Sequence, residues 1–330
     1  MNVLVRLPNW LGDMVMAYAF LDWLQQILPK ASIEVVVKHN LVDLVGFFPM
    51  VRGFYAFDKR TYKGSKGTYQ FGRFLRKQKD FDLFFVLPDS HSSALMAYCS
   101  GATKRVGYAN ELRSMWLTHA YDLPKRKMHR VKKYAQLLTH YFDIQMDSLN
   151  NRFVLDTISL PSFLPKHQTQ ILLNLQSVAA SRSLSFEKSV EIIRLLRRLT
   201  GAEIILSGVA NNQAFMKRLC VHFQRESFLV DLSGKTSLKE LTVVMLQADL
   251  VVSVDSGPAH LANALGRPCI VLFGAGDSVV TSPYEKDACI VLQEQLSCSP
   301  CVSNTCKLGT VECLSSMSLL ALSEAVQDLL

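Results

Sequence analysis

The chain has 330 residues, of which 49% are apolar and 19% charged, a composition that excludes a disordered or low-complexity protein. No apolar run is long enough for a membrane helix, and Arg6 and Asp13 argue against a secretory signal, so we expect a cytoplasmic protein. The net charge of +8, with lysine and arginine bunched at 59–79 and 125–133, suggests an acidic partner such as nucleic acid, anionic lipid or a phosphorylated glycan.

Predicted strands and helices alternate through the first half of the chain. A strand at 2–7 leads into a loop at 8–13 and a helix at about 14–28. The later elements are strands at 33–37, 53–57, 83–87 and 105–108, a helix at 94–99, and a helix that begins with the stretch 125–133 and runs to about 142. Such alternation requires right-handed crossovers and a mostly parallel sheet.

A chain of this length exceeds the usual size of one core, which predicts two domains. Pro161 and Pro165 interrupt an aperiodic stretch, where we place the boundary between domains of residues 1–160 and 161–330. The alternation then restarts, with strands at 171–175, 203–206, 228–230, 250–254, 269–273 and 290–292, and helices at 186–199, 211–223, 238–247, 259–265 and 319–329. The sequence therefore predicts an α/β protein of two Rossmann-like domains with a cleft between them.

The clearest site signal lies at 249–273. A buried strand ends at Asp255-Ser256-Gly257-Pro258, where a small polar residue can cap the helix that follows and Pro258 fits its first turn. Unpaired N–H groups and the positive end of the helix dipole would face a diphosphate there, and His260 could donate to the same anion. The alternative is an ordinary helix cap, because a single glycine turn is a weak signal.

Asp13 is the candidate general base, because a carboxylate there could accept the proton of an attacking sugar hydroxyl. The alternative is that Asp13 only caps the first helix. Arg182 could reach the phosphate, or it could be a solvated surface arginine. Ser207-Gly208 could let a ribose or base approach the backbone, or could form a plain turn.

Four of the eight cysteines fall into one loop, Cys298, Cys301, Cys306 and Cys313. Their spacing predicts a structural zinc site, with free or transiently oxidised thiols as the alternative. A catalytic metal is less favoured, because no histidine or carboxylate accompanies them.

Several motifs together resemble glycosyltransferase family nine, and within it the ADP-heptose:lipopolysaccharide heptosyltransferases of the second type. These motifs are L-P-N-W-L-G-D-M-V-M at 7–16, V-L-P-D-S at 86–90 with S-A-L at 93–95, R-V-G-Y at 105–108, and V-D-S-G-P-A-H at 254–260 followed by R-P at 267–268. They spread over most of the chain in the order found in that family.

The resemblance implies a GT-B fold, an N-terminal acceptor domain, a C-terminal domain that binds ADP-heptose, and inverting transfer that requires no cofactor. It makes Asp13 the base and assigns donor binding to Asp255, Ser256, Gly257 and His260, to which we add Arg182, Ser207 and Gly208. For the acceptor, an anionic lipopolysaccharide inner core, we select Asn9, Trp10, Arg60, Ser90, Arg105 and Arg113. The enzyme would then work at the cytoplasmic face of the inner membrane, in peripheral contact with it and without nucleic acid.

One departure bears on the donor. The family usually has Lys-Arg-Trp-Pro where this chain has Ser181-Arg182-Ser183-Leu184, so a phosphate-binding charge is missing. The acidic ribose contact expected near Asn211 and Asn212 is also not evident. The alternatives are therefore a family-nine transferase with another sugar donor and a nucleotide-sugar-binding paralogue without turnover. A dinucleotide oxidoreductase is weaker, because neither glycine turn reads G-x-G-x-x-G.

Overall fold

The computed structural model describes residues 1–110, 112–154, 168–224 and 226–330. The chain divides into two compact units, Met1–Val154 and Leu155–Leu330. The predicted domain boundary at residue 160 lies outside the described residues. Within the described ranges, no helix has both the length and the apolar character needed to cross a bilayer.

The first unit contains a six-stranded parallel sheet. Its strands are β1 (Asn2–Arg6), β2 (Ser32–Lys38), β3 (Val51–Phe57), β4 (Leu83–Val86), β5 (Lys104–Tyr108) and β6 (His119–Tyr121). Its α-helices are α1 (Leu11–Met16), α2 (Tyr18–Ile27), α3 (Gly64–Gln78), α4 (His91–Cys99) and α5 (Arg130–Phe142), with 3-10 turns at His39–Phe47 and Arg113–Trp116.

The second unit repeats this plan with a second six-stranded parallel sheet. Its strands are β7 (Gln170–Asn174), β8 (Glu203–Ser207), β9 (Leu229–Asp231), β10 (Leu250–Val254), β11 (Cys269–Phe273) and β12 (Cys289–Gln293). Its α-helices are α6 (Phe186–Thr200), α7 (Gln213–His222), α8 (Leu238–Gln247), α9 (Gly257–Ala264), α10 (Ser278–Thr281), α11 (Glu312–Ser315) and α12 (Leu319–Leu329), with 3-10 turns at Ala180–Arg182 and Ala210–Asn212.

Both sheets have the same strand order, β3-β2-β1-β4-β5-β6 in the first and β12-β11-β10-β7-β8-β9 in the second. This is the doubly wound Rossmann order, so the predicted α/β class and the two Rossmann-like sheets are confirmed. The order reverses between β1 and β4, and again between β7 and β10. The loops after these four strands therefore border a crevice at the carboxyl edge of each sheet, where such folds bind ligands.

The central strands are apolar because helices cover both faces of a parallel sheet. Every residue of β7, β10 and β11 is buried, and a fully buried Val or Leu side chain contributes about 1.5–3 kcal/mol. These strands give the site-bearing loops of the second unit a rigid base.

The starts of α1 and α5 differ from those that the sequence predicts. The helix predicted from residue 14 begins at Leu11, and the backbone tightens at Ala17, whose N–H donates to both Asp13 O and Met14 O. Helix α5 begins at Arg130, because the His129 ring caps it by accepting from the Val131 N–H at 3.3 Å. Consecutive lysines and arginines at 125–127 would also oppose the positive end of the helix dipole.

Candidate active site

Asp13 lies at the crevice of the first sheet, in the first turn of α1. Trp10 is the N-cap residue, so Asp13 is inside the helix rather than at the capping position. Its side chain is 21% exposed, and the positive end of the α1 dipole favours its charged form. Arg130 Nη1, on α5, lies 3.7 Å from Asp13 Oδ1. The structure therefore pairs the predicted base with a cation that sequence reasoning did not single out.

A second ion pair borders the same crevice. Asp89, in the turn after β4, accepts from Lys133 Nζ at 2.5 Å. Lys133 also lies 5.4 Å from the centroid of the Tyr108 ring. Beneath these charges, burial and then the carboxylate of Asp13 raise the pKa of Tyr134 well above its usual range. Residues from β5, α1, α5 and the β4–α4 turn thus form one charged cluster at the switch point.

Three predicted acceptor residues line the loops of this crevice. The Asn9 side-chain oxygen accepts from the guanidinium of Arg6, which is only 1% exposed. Burial lowers the pKa of Arg6 to about 10. Trp10 is 61% exposed beside Lys38, whose Nζ lies 5.6 Å from its ring centroid. Ser90 caps α4 by accepting from the Ser93 N–H at 3.4 Å. Of these, Trp10 offers the largest open surface.

The three arginines predicted to meet the acceptor bind parts of the protein itself. Arg60 is exposed and chelates Asp58 after the edge strand β3, away from the β1–β4 switch point. Arg105 donates to the carbonyls of Trp116 at 2.8 Å and Ala102 at 2.7 Å. Arg113 has no exposed surface and donates to the carbonyl that precedes Asp89, that of Pro88. In this structure, Arg105 and Arg113 thus satisfy backbone carbonyls.

The crevice of the second sheet holds a second charged pair. Asp255, directly after β10, has a side chain that is 3% exposed and lies 3.3 Å from Arg182 Nη1. Arg182 ends the 3-10 turn that follows β7, as the switch-point geometry requires. A Cβ atom on Gly276 would collide with Asp255 Oδ2, so this position needs glycine to make room for the carboxylate. Arg182 Nε has no hydrogen-bond partner among the described residues.

Helix α9 begins beside this pair, as predicted, with Pro258 in its first turn. Ser256 is the N-cap residue, but its side chain makes no capping hydrogen bond. The Ser256 hydroxyl instead donates to Val254 O at 3.1 Å and accepts from Asn174 Nδ2 at 2.8 Å. The capping interpretation is therefore wrong for the Ser256 side chain, and the dipole at this helix end favours an anion.

The remaining donor residues occupy the same edge. His260 is 6% exposed on the first turn of α9. Ser207 is buried at the end of β8 and donates to Leu173 O at 3.1 Å, while Gly208 accepts from the Gly234 N–H at 2.8 Å. Asn174, at the end of β7, was missed in the sequence, although an amide side chain at the end of a central strand is a signal.

Ser181, the departure from the family motif, joins two loops. Its hydroxyl donates to Ser303 O, and its N–H donates to Asn304 O at 3.2 Å. Both acceptors belong to the loop that carries the four cysteines, residues 298–313, called the cysteine loop below. The Val302 N–H, also in this loop, donates to the carbonyl oxygen of Ala275, the residue before Gly276. The cysteine loop is thereby attached to the turn that carries Arg182 and to the turn after β11, whose Gly276 packs against Asp255.

The four cysteines of the loop line one cavity of about 20 Å³. Backbone N–H groups of Val311 and Leu308 lower the pKa of the Cys306 thiol, whereas burial and the neighbouring thiols raise that of Cys313. No three ligand-type side chains in the described ranges meet closely enough to hold a metal ion. The geometry thus brings the thiols together without forming a tetrahedral ligand set, and the zinc site stays a prediction.

Comparison with solved structures defines the class of the fold. The chain superimposes on E. coli ADP-heptose lps heptosyltransferase II with a TM-score of 0.83 at 20% identity, covering 100% of this chain and 98% of that one. It superimposes on E. coli heptosyltransferase WaaC with ADP with a TM-score of 0.78 at 19% identity, covering all of both chains. Two Rossmann-like units of this kind define a GT-B glycosyltransferase fold, which confirms the predicted class.

The sequence itself identifies the family. The profile of glycosyltransferase family 9 (heptosyltransferase) matches residues 68–312, and the chain belongs to that family. Lipooligosaccharide heptosyltransferase 2 of Haemophilus influenzae is 26% identical over 320 residues, which cover 88% of each chain. The resemblance drawn from the motifs is thus confirmed, and the protein is a glycosyltransferase.

Proposed function

We propose that this protein transfers heptose, with inversion, from ADP-heptose to an anionic lipopolysaccharide inner-core acceptor, with Asp13 as the general base. The observation that carries the proposal is the position of Asp13: a partly exposed carboxylate at the switch point of the first sheet, in a family of heptosyltransferases. The donor and acceptor classes are those that the names of the similar heptosyltransferases state.

In this proposal the acceptor hydroxyl oxygen forms a bond to the anomeric carbon while its proton moves to the Asp13 carboxylate. The bond from the anomeric carbon to the diphosphate oxygen breaks, and ADP leaves with the electron pair. Direct displacement needs one carboxylate as the base, and the other carboxylate of this crevice, Asp89, is held by Lys133. The N-terminus of α9 and the Arg182 guanidinium stabilise the charge on the departing diphosphate, so the reaction requires no metal.

The first unit is proposed to bind the acceptor, whose phosphates and carboxylates match the basic character of the chain. The enzyme would work at the cytoplasmic face of the inner membrane, because its acceptor is carried on a lipid there. Anionic lipid would contribute about 1 kcal/mol per lysine or arginine near the surface.

Replacing Asp13 by Asn tests the base assignment. We expect turnover to fall by roughly 10²–10⁴-fold, because the isosteric amide cannot accept the proton, while ADP binding stays unchanged. Asp43→Asn, which alters an exposed carboxylate of the first unit, is the matched control and should keep wild-type rates. Wild-type turnover in the Asp13 variant would refute the assignment.

A panel of nucleotide sugars tests the donor, since Ser181 replaces the usual lysine. Turnover with ADP-heptose and an inner-core acceptor supports the proposal. Turnover with a different donor alone would favour another family-nine transferase, and ADP-heptose binding without ADP release would favour a non-catalytic paralogue.

A further inference from the structure

Helix α5 presents a charged residue to Asp13 that no part of the proposed mechanism yet uses. Arg130 is the first residue of α5, and its Nη1 atom lies 3.7 Å from Asp13 Oδ1. Its side chain is 30% exposed, and that of Asp13 is 21% exposed. Ion pairs with this much exposure contribute little to folding stability, so stability alone does not explain the contact.

Neighbouring groups keep the guanidinium of Arg130 charged. Burial acts to lower its pKa, but the carboxylate of Asp13, the phenol of Tyr134 and the carboxylate of Asp89 together raise it. Asp89 is itself held by Lys133 at 2.5 Å, one turn further along α5. Arg130 is therefore a permanent cation that forms an ion pair with Asp13.

Neighbouring titratable groups on α5 and α2 have other contacts. On α5, His129 is occupied in capping the helix, and Tyr134 is buried with a raised pKa, so it stays neutral. On α2, burial and then the carboxylate of Asp22 raise the pKa of Tyr18. The Arg130 guanidinium on α5 thus supplies a positive charge within 3.7 Å of the Asp13 carboxylate.

We propose that Arg130 is the positioning residue of the general base: it keeps Asp13 ionised and fixes the direction in which its carboxylate faces the acceptor hydroxyl. This inference rests on the proposed function. A carboxylate within about 4 Å of a guanidinium favours its charged form, and a fixed carboxylate spends more time in a reactive geometry. When the hydroxyl proton reaches Asp13, the ion pair breaks, and loss of that proton to solvent restores it.

The pH dependence of kcat/KM separates this role from a structural one. Because the cation lowers the pKa of its partner, removing it should move the acidic limb of the profile to higher pH. In Arg130→Met we expect a shift of about one pH unit or more and a loss of kcat of roughly tenfold. Arg130→Lys, which keeps the charge, should return the limb close to its wild-type position while recovering only part of kcat.

Lys132→Met is the matched control, because Lys132 is an exposed cation on the same helix. It should leave both the limb and kcat unchanged. Far-UV circular dichroism and the urea midpoint of each variant verify that α5 is folded, and the lysine variant keeps the test decisive if the methionine variant unfolds.

Two outcomes would overturn the inference: an acidic limb that does not move in Arg130→Met, or a change confined to the KM of the acceptor, which would make Arg130 an acceptor-binding residue. Asp13→Asn distinguishes this failure from that of the proposed function. If Asp13→Asn is inactive and the limb is unmoved, only the role of Arg130 is wrong. If Asp13→Asn is fully active, the base assignment itself is wrong.

Discussion

The ion pair between Arg182 and Asp255 gives the sharpest stability prediction. At 3.3 Å and an effective dielectric constant of about 20, two unit charges attract by about 5 kcal/mol. Asp255 is almost fully buried, but Arg182 is 24% exposed, so desolvation and screening cancel part of this attraction. We therefore expect a coupling free energy of about 1–3 kcal/mol between the two side chains.

A double-mutant cycle measures this coupling directly. Arg182→Met leaves a buried carboxylate without its cation and should lower the free energy of unfolding by about 2–3 kcal/mol. Asp255→Asn removes the negative charge with which Arg182 pairs. The free energy of unfolding of the double variant should therefore fall by less than the sum of the decreases in the two single variants. Urea unfolding followed by far-UV circular dichroism supplies the free energies.

The tryptophans help to assign the transition. All three, Trp10, Trp23 and Trp116, lie in the first unit, so their fluorescence should change little in these variants. Arg198→Met, an exposed arginine on α6, is the control and should stay within about 0.5 kcal/mol of wild type. Losses that add to within about 0.3 kcal/mol would refute the coupling and, with it, the view that Arg182 is held in place by Asp255.

Three further predictions concern the same unit. Arg182→Met should weaken ADP binding about tenfold or more in calorimetric titration, because a charged hydrogen bond to the diphosphate is lost; unchanged affinity would contradict the donor site. Gly276→Ala should destabilise the protein by about 1–3 kcal/mol in thermal unfolding, because its new Cβ collides with Asp255 Oδ2, whereas Gly46→Ala, where a Cβ meets nothing within 4 Å, should not. Elemental analysis of the purified protein should find about one zinc per chain if the cysteine loop closes around metal, and less than a few tenths of an equivalent would assign plain thiols.

The second unit could be predicted closely where apolar runs end at turn residues. The predicted strands 250–254 and 269–273 and the predicted helix 238–247 agree with the structure to the residue. For that helix, Ser237 and Glu240 form a reciprocal capping box, a local signal that needs no tertiary information. The strand β6 could not be predicted, because its three residues, His119–Tyr121, form neither an apolar run nor a period.

The candidate site was harder to predict, because its contacts join distant parts of the chain. Asp13 was found from its motif, but nothing local connects it with Arg130, which follows 117 positions later. Residue type alone also misleads. Arg105 and Arg113 read as acceptor cations, yet both donate to backbone carbonyls, a use of arginine that only the packed structure reveals.

The serine at position 181 acquires a different meaning in this light. In the sequence, Ser181 replaces the lysine that the family resemblance would place there to bind the phosphate. In the structure, both its hydroxyl and its N–H are engaged with the cysteine loop, so the position connects that loop to the turn carrying Arg182. A lysine has no hydroxyl group to make this bond. Because the site is only 2% exposed, the longer lysine side chain would also displace the loop. In the proposed function, the positive charge that faces the diphosphate therefore comes from Arg182 and the start of α9, which makes Arg182 a strict requirement for donor binding.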